Sequence, residues 1–233
     1  MMALDVCLSP EQAHLFDFKN KTCVVIDVLR ASSTISTILN NGAKEVIPVS
    51  NIDEAKNYKE KGYIVGAERG GKIVEGFDFG NSPFEYTSKI VEKKRVVLTT
   101  SNGTKAIHLA KDSSHIYIGS FLNLDAIINR LIKDNKDCIL FCAGWQGHFS
   151  LEDSCLAGAI VFGCNTKQNT CSDASSMTTT LYQSYRNDLD KMIQTSAHYR
   201  RLASHGVKTD AFYCIKKNHF NNVPFWNGKS LQV

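Results

Sequence analysis

The stretch Val24–Thr37, V-V-I-D-V-L-R-A-S-S-T-I-S-T, decides the fold that we predict for this chain. Its first three residues are β-branched and apolar, which is typical of a short buried strand. Asp27 closes that run, and the small hydroxylic residues after Arg30 indicate the start of a helix, which Asn41-Gly42 would end. Because similar strand-to-helix steps recur along most of the chain, the sequence predicts an α/β fold.

The same stretch could bind an anion. The unpaired N–H groups and the positive dipole end of a helix favour a phosphate at its start, and Arg30 could add a bidentate contact. We therefore predict that Ser32, Ser33 and Thr34 contact a phosphate and that Asp27 holds a metal ion. Taken alone, such a segment is more often a set of helix caps with a surface ion pair, so the rest of the chain has to decide.

Size and composition are those of an ordinary globular protein. Of the 233 residues, 43% are hydrophobic and 21% charged, which predicts one domain over residues 1–233, with a helical subregion over 172–206. The net charge of +4 is too small to indicate a nucleic-acid partner. No apolar run has membrane-spanning length, and no signal peptide is recognisable. The eight cysteines form no C-x-x-C pair, which favours reduced thiols and a cytoplasmic location.

Several element boundaries can be predicted individually. Ser82-Pro83-Phe84-Glu85 has the form of a capping box and predicts a helix that continues to about Lys93. Polar helical patterns are expected near Ala174–Tyr185 and Leu189–Ser204. Asn227-Gly228, between two short apolar runs, predicts a C-terminal hairpin.

Four predicted strands end in loops rich in glycine, hydroxyl groups, amides and acids. Ligands of open α/β sheets bind at the carboxyl ends of parallel strands, so these loops are expected to form one shared site. The loops are Asp27–Thr34, Glu68–Asp78, Thr99–Thr104 and Gly144–Asp153.

The residues in these loops exclude several phosphate chemistries. The chain has neither a Walker loop nor a dinucleotide-binding glycine motif. Cys23 lies at the start of the strand, whereas a phosphatase cysteine would have to lie beyond its end. Leu29 stands where a haloacid-type enzyme has its second aspartate. Divalent-metal chemistry with oxygen ligands remains, and Mg²⁺ suits such sites. His148 could act as an acid, although a loop histidine is more often merely solvated. The candidate carboxylates are Asp27, Glu68, Asp78, Glu152 and Asp153.

Taken together, these segments resemble the 2-phosphosulfolactate phosphatase family over nearly the whole chain. The most specific of them is G-F-D-F-G-N-S-P at Gly76–Pro83. The resemblance implies a three-layer α/β/α fold with a mixed, largely parallel sheet. It also implies Mg²⁺-dependent hydrolysis of (R)-2-phospho-3-sulfolactate to 3-sulfolactate and phosphate, a step of coenzyme M biosynthesis in methanogens. The other matching segments are Val24–Thr34, Gly66–Gly71, Thr99–Thr104, Phe149–Asp153, Ala197–Leu202 and Asp210–Cys214.

The site hypothesis combines the residues with this resemblance. Asp27, Arg30 and Glu68 are the predicted catalytic residues, and Asp27, Glu68 and Asp153 the predicted Mg²⁺ ligands. Arg69, with Arg200 or Arg201, could bind the carboxylate or sulfonate of the substrate. The predicted phosphate- and substrate-binding residues are Ser32, Ser33, Thr34, Arg69, Asn81, Ser82, Asn102, Gly103 and Thr104.

Alternatives remain open at this point. The substrate could be another phosphorylated 2-hydroxy acid, because the loop with Trp145 and His148 departs from the family pattern. The protein could also be a non-catalytic module that binds a phosphorylated metabolite. Asp27 could act as a nucleophile rather than as a metal ligand. A homodimer is the expected assembly.

Overall fold

The computed structural model describes residues 2–69, 72–164 and 170–233, apart from the side chains of Arg69 and Thr170. The described strands are β1 Ala3–Cys7, β2 Thr22–Ile26, β3 Glu45–Val49, β4 Ile64–Gly66, β5 Glu68–Arg69, β6 Lys72–Ile73, β7 Arg95–Thr99, β8 His115–Gly119, β9 Cys138–Cys142, β10 Thr170–Cys171, β11 Phe225–Trp226 and β12 Leu231–Gln232. The described α-helices are α1 Ala31–Asn40, α2 Ile52–Glu60, α3 Ser88–Val91, α4 Asn102–Leu109, α5 Leu124–Asp134, α6 Leu151–Cys164, α7 Asp173–Tyr185, α8 Leu189–Thr195, α9 Ala197–Ser204 and α10 Lys208–Cys214. Short 3₁₀ turns cover Pro10–Leu15, Pro83–Glu85 and Phe121–Asn123.

Ten of the described strands form one mixed sheet, in the order β10-β1-β9-β2-β8-β11-β12-β3-β7-β4. Strands β10, β1, β9, β2 and β8 form one parallel set, and β3, β7 and β4 form a second. The C-terminal hairpin β11–β12 joins the two sets, because it pairs antiparallel with β8 on one side and with β3 on the other. The predicted α/β class and the mixed, largely parallel sheet are confirmed.

Helices cover both faces of each set of strands. Helices α5, α6 and α7 pack on one face of the first set, where Val24 is buried. Helices α1 and α4 pack on the other face, in a core that holds both Val25 of β2 and Val46 of β3. Helix α2 covers the outer face of the second set, over Val65 and Val97. Helices α1 and α4 therefore pack against strands of both sets.

Strand ends from both sets come together at the start of α4. The N–H of Gly103 donates to the carboxylate of Asp27, which follows β2. The hydroxyl of Thr104 donates to the carbonyl oxygen of Val49 at the end of β3, at 3.4 Å. The carboxyl ends of β2 and β3 therefore meet at one helix N-terminus.

One predicted helix is wrong. Residues 82–93 do not form a continuous helix but a 3₁₀ turn, Pro83–Glu85, followed by the short α3. The chain bends between them because Tyr86 is fully buried and its hydroxyl donates to the carbonyl of Gly80 at 2.6 Å. The reciprocal capping box is incomplete: the Ser82 side chain makes no capping hydrogen bond, and the Glu85 carboxylate accepts the N–H of Gly80 as well as that of Ser82.

The C-terminal part of the chain is closer to expectation. The helix expected over Leu189–Ser204 is interrupted at Ser196, whose extended backbone separates α8 from α9 and whose hydroxyl caps α9. The C-terminal hairpin predicted from Asn227-Gly228 is present. Gly70 and Gly71 of one predicted loop lie outside the described residues, as do residues 165–169 of the expected polar connection.

Seven of the eight cysteines are buried, and Cys171 is exposed. They pack as small apolar side chains, as the sequence indicates for the run C-I-L-F-C in β9. Burial raises the pKa of the thiols of Cys7, Cys155 and Cys214 to about 12. None of the described helices is long and apolar enough to cross a lipid bilayer.

Candidate active site

A cavity of about 280 Å³ opens where the loops after β2, β4, β7 and β9 meet. Each of the four loops predicted at strand ends contributes to its lining, for example through Asp27, Glu68, Asn102 and Trp145. Helix α9 forms a further wall, which includes His198 and Arg201. The cavity is therefore bordered by strand ends on one side and by the C-terminal helices on the other.

Asp27 lies where α1 and α4 both begin. Its carboxylate accepts the N–H of Ala31 at 3.3 Å and the N–H of Gly103. Burial raises its pKa to about 6, although the two N–H groups favour the charged form. The Asp27 carboxylate thus occupies the position at these helix N-termini where the sequence predicts a phosphate.

Arg30 is held between two carboxylates. Its guanidinium donates to Glu68 through one nitrogen and to Asp210 of α10 through another. Only 4% of the Arg30 side chain is exposed. With one positive and two negative groups the cluster has a formal charge of −1, so Arg30 does not present an unpaired positive charge to a phosphate.

The hydroxyl groups near the start of α1 that were predicted to bind phosphate donate to backbone carbonyl oxygens. Ser32, Ser33 and Thr34 donate to the carbonyl oxygens of Asp27, Val28 and Asn81, at 2.7, 2.9 and 2.8 Å. The hydroxyl of Thr104 likewise lies 2.8 Å from that of Thr100. All four predicted side chains are buried and connect the loops behind the cavity, so the structure gives them a supporting role.

Asp153, a predicted metal ligand, also supports the backbone. Its Oδ1 accepts the N–H of Val28 at 2.8 Å, and its Oδ2 accepts the N–H of Gly144 at 3.0 Å. The carboxylate thereby ties α6 to the loops after β2 and β9. Both of its oxygens are engaged within the protein and it does not border the cavity, so the structure does not support its assignment as a Mg²⁺ ligand.

Glu152 is buried and faces α9. It accepts the hydroxyl of Ser196 at 2.7 Å, and its other oxygen lies 3.2 Å from Nδ1 of His198. Nε2 of the same imidazole lies 3.4 Å from a guanidinium nitrogen of Arg201. Because a guanidinium can only donate, Nε2 is the acceptor and Nδ1 carries the proton that is shared with Glu152.

Trp145 stacks against both of these α9 residues. Its ring lies 5.7 Å from the His198 ring, at an interplanar angle of 22°, and the Arg201 guanidinium lies 5.6 Å from its centroid. A tight turn fixes the tryptophan, because Trp145 and His148 exchange backbone hydrogen bonds of 2.9 and 3.0 Å. Gly144 makes this turn possible: its φ is +60°, and a Cβ there would lie 2.2 Å from the carbonyl oxygen of His148.

The remaining predicted residues fall into three groups. Asn81 and Asn102 line the cavity, and Asn102 donates to the carbonyl of Gly144 at 3.0 Å. Ser82 is half-buried next to Asn81 without bordering the cavity, and His148 is exposed. The side chain of Arg69 lies outside the described residues.

The sequence named Glu152 as a candidate carboxylate and Arg200 or Arg201 as a candidate anion-binding residue. It did not single out His198 or Asp210, and it did not predict that these residues form a connected part of the site. The argument from the sequence considered mainly strand ends, whereas His198, Arg201 and Asp210 lie on helices α9 and α10. The available signal was the family-like segment Ala197–Leu202, which contains both His198 and Arg201.

The donors around the cavity fit a hard divalent cation. Asn81 Oδ1 and Thr99 Oγ1 are buried without a hydrogen-bond partner in the described part of the chain, and both residues line the cavity together with the Asp27 carboxylate. No group of three or more histidine, cysteine, aspartate or glutamate side chains suited to a metal occurs among the described residues. This donor set suits Mg²⁺, which takes one or two carboxylates and completes its shell with water and substrate oxygens.

Comparison with known proteins gives a consistent result. The family model described as 2-phosphosulpholactate phosphatase matches residues 7–229. A relative from Clostridium acetobutylicum is 40% identical, over 99% of this chain and 100% of its own length. Relatives from Clostridium novyi and Thermotoga maritima are 39% and 43% identical, over 96% and 88% of this chain and 96% and 88% of their own lengths. All three are named “Probable 2-phosphosulfolactate phosphatase”. The chain therefore belongs to the 2-phosphosulfolactate phosphatase family.

Proposed function

We propose that this protein is a Mg²⁺-dependent phosphatase that hydrolyses (R)-2-phospho-3-sulfolactate to 3-sulfolactate and phosphate. Membership of the family and the names of its relatives support the reaction and the substrate. The observation that carries the proposal is the position of Asp27, a half-buried carboxylate that lines a polar cavity where two helices begin.

The charges around the cavity support a metal cofactor. Asp27 places a carboxylate on the cavity wall, and Glu68, which also lines the cavity, is paired with Arg30. The proposed substrate carries a phosphate, a carboxylate and a sulfonate, all anionic at neutral pH. Placing such a molecule beside the Asp27 carboxylate is unfavourable unless a cation compensates.

Asp27 would hold the Mg²⁺, with the unpaired Oδ1 of Asn81 as a second donor. When bound, the ion would neutralise the phosphoryl oxygens and polarise the attacking water. Asn102 borders the same space and could orient the phosphoryl group, since phosphoryl transfer depends mainly on positioning and charge compensation. Arg30 and Glu68 would fix the shape of the cavity wall between the loops after β2 and β4.

A covalent route through Asp27 remains the alternative mechanism. In that route a carboxylate oxygen attacks phosphorus, the alkoxide leaves with a proton, and water later hydrolyses the aspartyl phosphate. Rapid acid quenching of wild-type protein with ³²P-labelled substrate distinguishes the two routes. A ³²P label on the wild-type protein that does not appear on Asp27→Asn supports the covalent route. Wild-type protein that stays unlabelled during steady turnover supports direct attack by water.

The proposal is tested by measuring phosphate release from 2-phosphosulfolactate and other phosphorylated 2-hydroxy acids, with Mg²⁺ and with EDTA. We expect Mg²⁺-dependent turnover that is fastest on 2-phosphosulfolactate and is lost in Asp27→Asn. Asp53→Asn is the matched control, because the Asp53 side chain is 92% exposed on α2. Faster turnover of another phosphorylated 2-hydroxy acid would assign that compound as the substrate in place of 2-phosphosulfolactate. No release from any member by folded protein would contradict the enzyme assignment and favour a binding module.

A further inference from the structure

Among the described side chains, Arg30 and Arg201 are the arginines that line the cavity, and they differ in their partners. The Arg30 guanidinium is neutralised by Glu68 and Asp210. The described contacts of the Arg201 guanidinium are Nε2 of His198 at 3.4 Å and the Trp145 ring at 5.6 Å. Neither contact is with a carboxylate, so Arg201, unlike Arg30, makes no direct ion pair among the described residues.

The orientation of Arg201 is fixed by neighbouring side chains. Buried Glu152 holds Nδ1 of His198, which leaves Nε2 to accept from Arg201. Trp145 lies against both His198 and Arg201, and a guanidinium over an indole face is stabilised by the ring quadrupole. An arginine held in this way loses little side-chain entropy when it binds a ligand, and its planar fork matches a carboxylate or sulfonate.

We infer that Arg201 is the specificity residue that binds the acid tail of the substrate, meaning its anionic groups other than the phosphoryl group. His198 and Glu152 are positioning residues that act through Arg201. In a cavity of about 280 Å³, a substrate with its phosphoryl group against Asp27 has its remaining groups against the wall formed by Trp145 and Arg201. This inference rests on the proposed function, because it assumes a substrate that contains both a phosphoryl group and a second anion.

The test compares two substrates in the presence of Mg²⁺. One is 2-phosphosulfolactate, and the other is glycerol 2-phosphate, a secondary phosphate ester without an acid tail. The measured quantity is the ratio of their kcat/KM values. We expect Arg201→Gln to lower this ratio by roughly 10- to 100-fold, mainly through a higher KM for 2-phosphosulfolactate, since a lost charged hydrogen bond typically has this effect. The ratio for Arg201→Lys should lie between those of wild type and Arg201→Gln, because lysine keeps the positive charge but lacks the planar, bidentate guanidinium.

Arg200→Gln is the matched control. The sequence left Arg200 and Arg201 as alternatives for binding the acid tail, and of the two only Arg201 lines the cavity. Arg200 is the preceding residue on the same helix, is exposed, and donates to the carbonyl of Thr195 at 2.9 Å. Its loss should leave the ratio within the error of the wild-type value. A ratio that is unchanged in Arg201→Gln, or that falls equally in Arg200→Gln, would overturn the inference.

The positioning role is tested at His198. His198→Phe removes the acceptor for Arg201 and should lower the ratio toward that of Arg201→Gln. His198→Gln keeps an acceptor oxygen, so its ratio should lie between those of His198→Phe and wild type. The double variant Arg201→Gln/His198→Phe should be no worse than Arg201→Gln alone, since His198 acts through Arg201. Additive losses in the double variant would overturn the positioning role.

A failure of the proposed function gives a different result. If folded wild-type protein releases no phosphate from either substrate, calorimetric binding of 3-sulfolactate decides the inference. Binding that weakens at least tenfold in Arg201→Gln and is unchanged in Arg200→Gln would support an acid-tail receptor without catalysis. Equal binding by wild type and Arg201→Gln, or no binding by wild type, would overturn it.

Discussion

Ionisation of Asp27 costs the folded protein stability, although the proposed function needs this carboxylate charged. Its carboxylate is desolvated, and the resulting pKa of about 6 lies well above the ordinary 3.8. The folded protein therefore holds this proton more tightly than the unfolded chain. Ionising Asp27 costs stability as the pH rises from about 4 to 6, and above pH 6 that cost is fully present. A buried charge that destabilises the fold is consistent with a functional role, in which a bound cation would compensate it.

We predict that Asp27→Asn changes the pH dependence of stability. The Tm of Asp27→Asn minus the Tm of wild type, both measured in EDTA, should be larger at pH 7.5 than at pH 4.5. The expected change is several degrees, since one pKa unit corresponds to about 1.4 kcal/mol and 1 kcal/mol to about 2–4 °C in a chain of this size. Asp53→Asn serves as the exposed control. A difference that does not vary with pH would contradict the raised pKa.

At this scale the sequence predicts some site residues well and others poorly. Asp27, Asn81 and Asn102 line the cavity, because residues that follow parallel strands are directed to a common region. The hydroxyls near Ser32 were assigned to phosphate, but such side chains more readily satisfy nearby backbone carbonyls. Arg201 and Asp210 reach the site only through long-range packing of the C-terminal helices, which no local pattern in the sequence encodes.

Helix α6 supports the site without bordering the cavity. It carries Glu152 and Asp153, and it packs tightly on α7 at Gly158. A Cβ at Gly158 would lie 1.9 Å from the carbonyl oxygen of Thr178, which belongs to the backbone of α7 and cannot move independently. Near the end of the same helix, a Cβ at Gly163 would meet the Cδ1 atom of Ile128 at 2.3 Å, the tip of a flexible side chain.

We predict that Gly158→Ala is destabilising and that Gly163→Ala is not. Overpacking against α7 should cost Gly158→Ala about 1–3 kcal/mol. Gly163→Ala should change stability by less than about 1 kcal/mol, because the gain in helix propensity offsets a rotamer change at Ile128. Urea unfolding of both variants checks this. If Gly158→Ala lowers the free energy of unfolding no more than Gly163→Ala does, α6 and α7 can separate at Gly158 without cost.

Element prediction succeeds where local pattern and tertiary packing agree. Strands β2, β7 and β9 follow from apolar, largely β-branched runs whose burial suits both the pattern and the sheet. The helix expected after Ser82 fails because Tyr86 is drawn into the core beside Gly80, and that burial overrides three local helix-start signals. The break at Ser196 follows the same rule, since its hydroxyl serves both α9 and Glu152.

For the whole molecule, the C-terminal hairpin is the main connection between the two parallel sets of strands. Strand β11 pairs with β8 and β12 with β3. Leu231 of β12 is fully buried in the core that both sets share, and Ser230 donates to Glu45 at 2.6 Å. The sheet order that results was not predictable, because the hairpin lies far in sequence from the strands that it joins.

We predict that removal of residues 225–233 lowers Tm and abolishes phosphate release. Without the hairpin, the edges of β8 and β3 are exposed, and the two halves of the cavity lose their common support. Deletion of Val233 alone is the control, because that residue is 62% exposed and should be dispensable. Thermal unfolding followed by circular dichroism checks the result. A wild-type Tm after the larger deletion would contradict the bridging role.

The distribution of the cysteines has a practical consequence for following the fold in solution. Thiolates are the reactive form, and burial suppresses both their formation and their encounter with a reagent. With Cys171 exposed and the other seven cysteines buried, a disulfide reagent such as Ellman's should modify about one equivalent rapidly in the native protein and all eight after denaturation. Labelling stoichiometry then reports the fraction of unfolded molecules directly, and a single dye at Cys171 gives a spectroscopic probe attached outside the cavity.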